Sequence, residues 1–245
     1  AILENKKRDC ASRFFRGIDK DSFLAKVTKS YMAIVGDGRG GVFCENTLKP
    51  FNEWNQKTSS SIKPDNFRVL VTNPPFGAKI PIKGEGILSQ YDLGHKWKFN
   101  EKEKRWEKTN KLWDMQPPQI LFIERCIQLL EDGGRMAIVL PEGLLGNISD
   151  GYIRQFIRDN CKILGIIDCP VETFQPSTST KTSILVLQKT EENKSNYPIF
   201  MAISKKCGHD RRCKGIFKSD GKPEDDFPEV IKEFKDFKKN ENVIF

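Results

Sequence analysis

Residues 68–72, Arg-Val-Leu-Val-Thr, are apolar through the middle and stop at Asn73-Pro74-Pro75-Phe76. A strand that is apolar at successive positions is covered on both faces, as in a parallel sheet between helical layers. Two prolines cannot donate to a ladder, so the strand must end there. Asn73 and Pro74 each precede a proline and are pushed to extended geometry. The backbone is therefore stiff at the strand exit, and the Pro74 carbonyl is aimed in one direction.

The rest of the chain alternates in the same sense. A short buried strand over 13–18 ends at Asp19. Phe23, Leu24, Val27, Tyr31 and Ile34 recur at helical spacing and predict an amphipathic helix over 21–35. Residues 42–44 form a second short strand, and 50–66 read as loop. Residues 77–116 carry no clear period. Pro117-Pro118 opens a helix that ends at Gly133-Gly134. Strands follow over 136–140, 163–167 and 183–187, with a further candidate at 199–203, and helices over 152–160 and 228–239. Strands alternating with helices predict an α/β, doubly wound, mostly parallel sheet. Residues 1–190 form the main domain, with 77–116 as an insertion. Residues 191–245 form an extension with an edge strand and a short helix. Ligands of such sheets collect beyond the carboxyl ends of the strands, which makes Asp19, Asn46, Asn73 and Pro141 rim positions.

The formal net charge of +8 suits a polyanionic partner, though ordinary basic cytosolic proteins share it. No run approaches the eighteen apolar residues of a membrane helix, and no signal peptide opens the sequence. Seven scattered cysteines read as reduced thiols of a cytoplasmic protein. Cys207, His209 and Cys213 cluster, but lack the paired spacing of a structural zinc site, so a polar turn and no metal are expected. His95 and His209 are the only histidines. Neither sits in a Ser/Cys–His arrangement, which argues against hydrolase chemistry.

The chemistry that fits Asn73-Pro74-Pro75-Phe76 is methylation of an exocyclic amine. The side-chain carbonyl of Asn73 and the main-chain carbonyl of Pro74 are two fixed acceptors for both hydrogens of a planar amino group. Holding those hydrogens favours the pyramidal form with its lone pair localised, which is closer to the transition state. Phe76 supplies a flat stacking face. The plainer alternative is a proline-stiffened strand exit with an Asn turn.

The segments GIDKDSFLAKVTKSYMAIVGDG, VLVTNPPFG, QPPQILFIERCIQLLEDGGRMAIVLPEGLLGN and TFQPSTSTKTSILVLQK resemble the N6-adenine DNA methyltransferase (modification) subunits of type I restriction–modification systems. The resemblance implies a class I S-adenosylmethionine-dependent methyltransferase-like fold. It also implies double-stranded DNA as substrate, a specificity subunit and a restriction nuclease subunit as partners, and no metal in the transfer. Asn73 and Pro74 would hold the target amine of an adenine flipped out of the duplex, and Phe76 would stack on it. Asp19 falls where the family binds the cofactor's ribose hydroxyls; its alternative role is the cap of the following helix. Asn46 falls where the family has an Asp that meets the cofactor's adenine.

One departure stands out. The family's Gly-rich cofactor loop follows its first strand, upstream of the acidic residue, and positions 1–16 contain no glycine. Gly36-Asp37-Gly38-Arg39-Gly40-Gly41 matches G-x-G-x-x-G by spelling, but it lies after a helix and before a strand, so a helix-ending turn is expected. The first strand and Gly-rich loop are thus expected to be absent from these residues, which alone would bind S-adenosylmethionine weakly or not at all. DNA contacts are expected from Lys102, Lys104 and Arg105, in a basic stretch interleaved with Trp97, Phe99 and Trp106. Lys181 and Thr182, in the Ser/Thr-rich turn, are further candidates. Two rival readings use the same residues. One is a methyltransferase acting on protein glutamine or RNA. The other is a non-catalytic fragment that docks DNA or another subunit.

Overall fold

The computed structural model describes residues 2–36, 39–77, 80–190, 192 and 196–240. The first half contains α1 (Ile2–Phe14), β1 (Gly17–Asp19), α2 (Ser22–Val35), β2 (Val42–Cys44), α3 (Gln56–Ser61) and β3 (Phe67–Thr72). Next come β4 (Ile82–Lys83), α4 (Glu85–Leu88), β5 (His95–Asn100), β6 (Arg105–Leu112) and β7 (Met115–Gln116). The chain ends with α5 (Pro118–Leu129), β8 (Leu130–Pro141), α6 (Gly143–Gly146), α7 (Gly151–Asn160), β9 (Cys161–Asp168), β10 (Thr182–Lys189), β11 (Phe200–Ile203) and α8 (Phe227–Asn240).

Five strands build the central sheet in the order β11-β9-β10-β8-β3. β3 and β8 are parallel, as are β9 and β11; β10 runs antiparallel between β8 and β9. The carboxyl ends of β3, β8, β9 and β11 therefore share one rim, with the start of β10. Side chains alternate across the sheet, and both faces are used. Leu185 and Leu187 of β10 join Ile123, Ile138, Ile153 and Phe156 under α5 and α7. Ile184 and Val186 face the other way, toward Phe200, Val230 and Phe234 under α8. Helices thus cover both faces, as the alternation predicts.

β1 and β2 form a separate parallel pair. Ile18 and Phe43 pack with Phe67 and Leu70 around Trp54, Ile62 and Leu129, which fastens this pair beside β3. Among the described residues no strand lies between β1 and β3. A groove of ≈ 450 Å³ opens there, lined by Phe15, Gly17, Ile18, Val69, Val71 and Leu129 among others. β3 is consequently an edge strand here. Its Val69 and Val71 are 68% and 76% exposed, so the expected cover on both faces is present on one only.

Other local expectations change. The strand expected over 13–18 is helical as far as Phe14, and only Gly17–Asp19 is extended. The apolar stripe of α2 lies open: Phe23, Val27, Tyr31 and Ile34 are all exposed. The helix opened by Pro118 stops at Leu129, short of Gly133-Gly134. Residues 131–134 bulge out between the Phe67–Leu130 and Val69–Arg135 pairs, where Gly133 takes φ +74. That left-handed backbone suits glycine, so the pair marks a bulge and not a helix end. The stretch 50–66 contains α3, capped by Asn55. The aperiodic 77–116 is ordered as the β4–β7 pair and the β5–β6 hairpin. Such short ribbons take their order from packing against the domain and not from internal period.

Candidate active site

The last residue of β3, Thr72, pairs with Ile138, and the chain then leaves the sheet through Asn73. Asn73 is exposed, the Pro74 ring is buried and Phe76 is half-buried. Among the described residues neither the Asn73 side-chain carbonyl nor the Pro74 main-chain carbonyl accepts a hydrogen bond. Asn73 is thus open at the rim, with Pro74 enclosed behind it. Phe76 meets Phe174 edge-on, with ring centroids 6.4 Å apart at 82°. The turn closes at Gly77, whose φ of +101 requires glycine. The Gly77 N–H donates to Oε1 of the buried Gln119 at 3.2 Å. Gln119 lies in the first turn of α5 and ties the motif to the helix beneath. Sequence reasoning missed it; its only signal is an amide in the first turn of a helix whose other polar residues, Glu124, Arg125 and Gln128, come later.

Asp19 ends β1, and its Oδ1 accepts the Asp21 N–H at 2.7 Å. The cap of α2 is Asp21, which accepts from the Phe23 and Leu24 N–H groups. The capping alternative for Asp19 is thereby removed, and its carboxylate stays at the carboxyl end of β1. Asn46 accepts the Leu48 N–H on its Oδ1 at 3.1 Å, so it closes its own turn. For S-adenosylmethionine the residues fit in part: Asp19 has a carboxylate of the kind that binds ribose hydroxyls, whereas the Asn46 Oδ1 already accepts a bond within its own turn. Gly36, in the left-handed region at φ +80, ends α2, as expected of a helix-ending turn. Asp37 and Gly38 lie outside the described residues.

At the opposite side of the rim, Lys181 Nζ pairs with Asp168 Oδ2 at 2.8 Å. That hydrogen bond holds the Lys181 ammonium above its ordinary proton affinity. A phosphate approaching Lys181 would compete with Asp168. Thr182 is 1% exposed and faces the interior. The Ser177–Ser179 stretch beside them is largely open.

The basic hairpin of β5 and β6 packs along α7. Trp97 and Trp106 each lie 6.0 Å from the Tyr152 ring on α7. The Trp106 backbone is clamped by Gln155, and Arg105 Nη2 reaches Asp159 Oδ2 at 3.4 Å. Asp159 sits at the end of α7, where the chain enters β9 at Cys161. That is the amino end of β9. An eight-residue strand spans about 23 Å, so Arg105, Lys102 and Lys104 lie on the far side of the sheet from Asn73. Trp97 and Trp106 are half-buried and pack against the core under α7.

Two buried charges, neither singled out by sequence, hold the loops behind the site. Arg125 is 0% exposed and lies 4.0 Å over the Phe51 ring. It donates to Lys49 O at 2.9 Å, Gln90 Oε1 at 2.7 Å and the Tyr91 hydroxyl. Glu124 accepts the Asp92 and Leu93 N–H groups, both at 2.9 Å. Burial pushes its carboxyl up to about 7, against the downward pull of those two donors. Cys207 Sγ approaches His209 Nε2 at 3.7 Å, while Cys213 Sγ turns away to donate to Gln175 O. Among the described residues no helix is long and apolar enough to cross a membrane.

A sheet with helices on both faces, and a proline-stiffened Asn-Pro-Pro-Phe at the carboxyl end of β3, define a class I S-adenosylmethionine-dependent methyltransferase fold. A structure of the type I restriction–modification methyltransferase subunit from Streptococcus thermophilus superposes with TM-score 0.58 at 20% identity, covering 91% of this chain and 42% of that one. The chain belongs to the N-6 DNA methylase family, whose model matches residues 2–243. The type I restriction enzyme EcoEI methylase subunit of Escherichia coli is 30% identical over 154 residues, 61% of this chain and 25% of that protein. The type II methyltransferase M.BstVI of Geobacillus stearothermophilus is 24% identical over 143 residues, 58% of this chain and 22% of that protein. The match thus spans about a quarter of the length of these curated relatives.

Proposed function

We propose that the complete polypeptide transfers a methyl group from S-adenosylmethionine to N6 of an adenine in double-stranded DNA, as the modification subunit of a restriction–modification system. The observation that carries this reading is the Asn73-Pro74 pair at the exit of β3, whose two carbonyl oxygens accept no hydrogen bond among the described residues. Asn73 Oδ1 and the Pro74 carbonyl take the two amine hydrogens and leave the nitrogen lone pair out of the ring. When bound, S-adenosylmethionine supplies the electrophilic methyl. Phe76 offers its ring to the flipped base, and the Phe174 edge fixes that ring's tilt. Pro75 and the Gly77–Gln119 hydrogen bond keep the turn rigid, so little reorganisation is needed when charge develops on the amine. Asp19 holds the cofactor's ribose hydroxyls. A specificity subunit that reads the target and a nuclease restrained by the methyl mark are the partners this reading implies.

The test is Asn73→Ala in the complete polypeptide, assayed with tritiated S-adenosylmethionine and offered DNA, RNA and protein. Label should enter DNA adenine, and the substitution should lower the rate about 10²–10³-fold with unchanged folding. Transfer to glutamine or RNA instead, or an undiminished rate, would reject the proposal.

A further inference from the structure

We infer that residues 205–226 form a DNA-contacting arm that grips phosphates beside the catalytic rim; this deepens, and rests on, the reading of the chain as a DNA methyltransferase. Ile203 pairs with Asp168, and the Ser204 N–H bonds the Asp168 carbonyl at 2.9 Å. The chain therefore leaves β11 on the rim that carries Asn73. It then folds back on itself through the bridges Cys207–Asp225, His209–Gly215 and Phe217–Pro223. Its root is fixed: Asp226 Oδ2 accepts the Lys205 and Lys206 N–H groups at 2.8 and 3.0 Å, and Lys206 pairs with Glu224. Beyond the root, every residue from 211 to 223 is exposed.

The positive charge of the arm is concentrated in its exposed part. Residues 205–226 hold seven Lys/Arg and five Asp/Glu, but three of the acids, at 224–226, lie at the root, and the exposed stretch 211–223 carries five Lys/Arg against one Asp. Phe217 stands 63% exposed near the tip. Exposed cations with an exposed ring match a polyanion that also offers sugar or base faces. In the other basic hairpin Trp97 and Trp106 pack on Tyr152, and Arg105 is paired with Asp159 near the amino end of β9.

Two contacts index the arm to the site. Arg211 Nε lies 3.5 Å from Glu172 Oε1, and Cys213 Sγ donates to Gln175 O at 2.8 Å. Phe174, in the same turn as Glu172, touches Phe76. An open cleft of ≈ 530 Å³ runs between Arg211 and residues 175–179. A duplex presented to Asn73 therefore passes the arm's root, with phosphates within reach of Arg212, Lys214 and Lys218.

The experiment is fluorescence anisotropy of a 30-base-pair duplex with the 245-residue chain across a salt series. Arg212, Lys214 and Lys218 are changed together to Gln, and Lys232, Lys235 and Lys239 of α8 form a charge-matched control. The arm variant should melt as the parent does, yet show a slope of log K against log salt that is flatter by about 2–3, at roughly 0.9 for each phosphate no longer neutralised. The control should keep the parent's slope. An unchanged slope in the arm variant, equal flattening in the control, tighter binding to duplex RNA of the same length, or no DNA binding by the parent would each overturn the inference. None of these outcomes bears on the methyl-transfer assay of Asn73→Ala, so the two readings fail separately.

Discussion

Replacing Arg125 with Met isolates what a buried guanidinium does behind the site. Met matches the stem and supplies no donor. In the parent, Arg125 reaches Lys49 O, Gln90 Oε1 and the Tyr91 hydroxyl and covers the Phe51 ring. The Tyr91 hydroxyl keeps its own bond to Leu48 O at 3.0 Å. Two acceptors, Lys49 O and Gln90 Oε1, are left bare at about 1–3 kcal/mol each. Removing the desolvated cation–ring interaction adds about 2 kcal/mol. Part of this is offset, because the guanidinium no longer has to be stripped of water, and its buried Nη1 has no partner among the described residues. A net destabilisation of about 3 kcal/mol is expected, or roughly 6–12 °C in melting temperature for a chain of this size. Urea unfolding followed by the fluorescence of the buried Trp54 measures it. Arg125→Lys should lose at least half as much, because an ammonium cannot span the same partners as the planar fork. A Met variant within about 1 kcal/mol of the parent would refute the argument and show that the loops at 48–50 and 90–91 hold without this tie.

Two further outcomes are expected. Glu124 ionises near 4.5 when unfolded and near 7 when folded, so the folded state holds its proton more tightly. Its contribution is complete below about pH 4.5 and is lost as pH rises through 7. The parent should weaken by about 3 kcal/mol relative to Glu124→Gln across that window in urea titrations; parallel curves would contradict it. Calorimetric titration of the 245-residue chain with S-adenosylmethionine should show no micromolar binding, because no described strand fills the groove between β1 and β3; micromolar affinity would overturn this.

Much of the site was written locally. The apolar run over 68–72 and the two prolines after it determine a strand, its end and a stiff pair of acceptors, because φ restriction at proline acts within one or two residues. Asp19 at a strand end, and a helix opening at Pro118, follow from equally local rules. Only the tertiary structure decided which of these residues meet. Gln119 reaches Gly77, and Phe174 reaches Phe76, across sequence gaps that no periodicity encodes. The two basic hairpins look alike as composition, yet the first is laid along α7, with Trp97 and Trp106 on Tyr152 and Arg105 on Asp159, whereas the pairing of β11 with β9 launches the second from the rim that carries Asn73. Charge and aromatic content are properties of a segment; its distance from the chemistry is a property of the sheet's order and direction, which depends on hydrophobic packing summed over the whole chain.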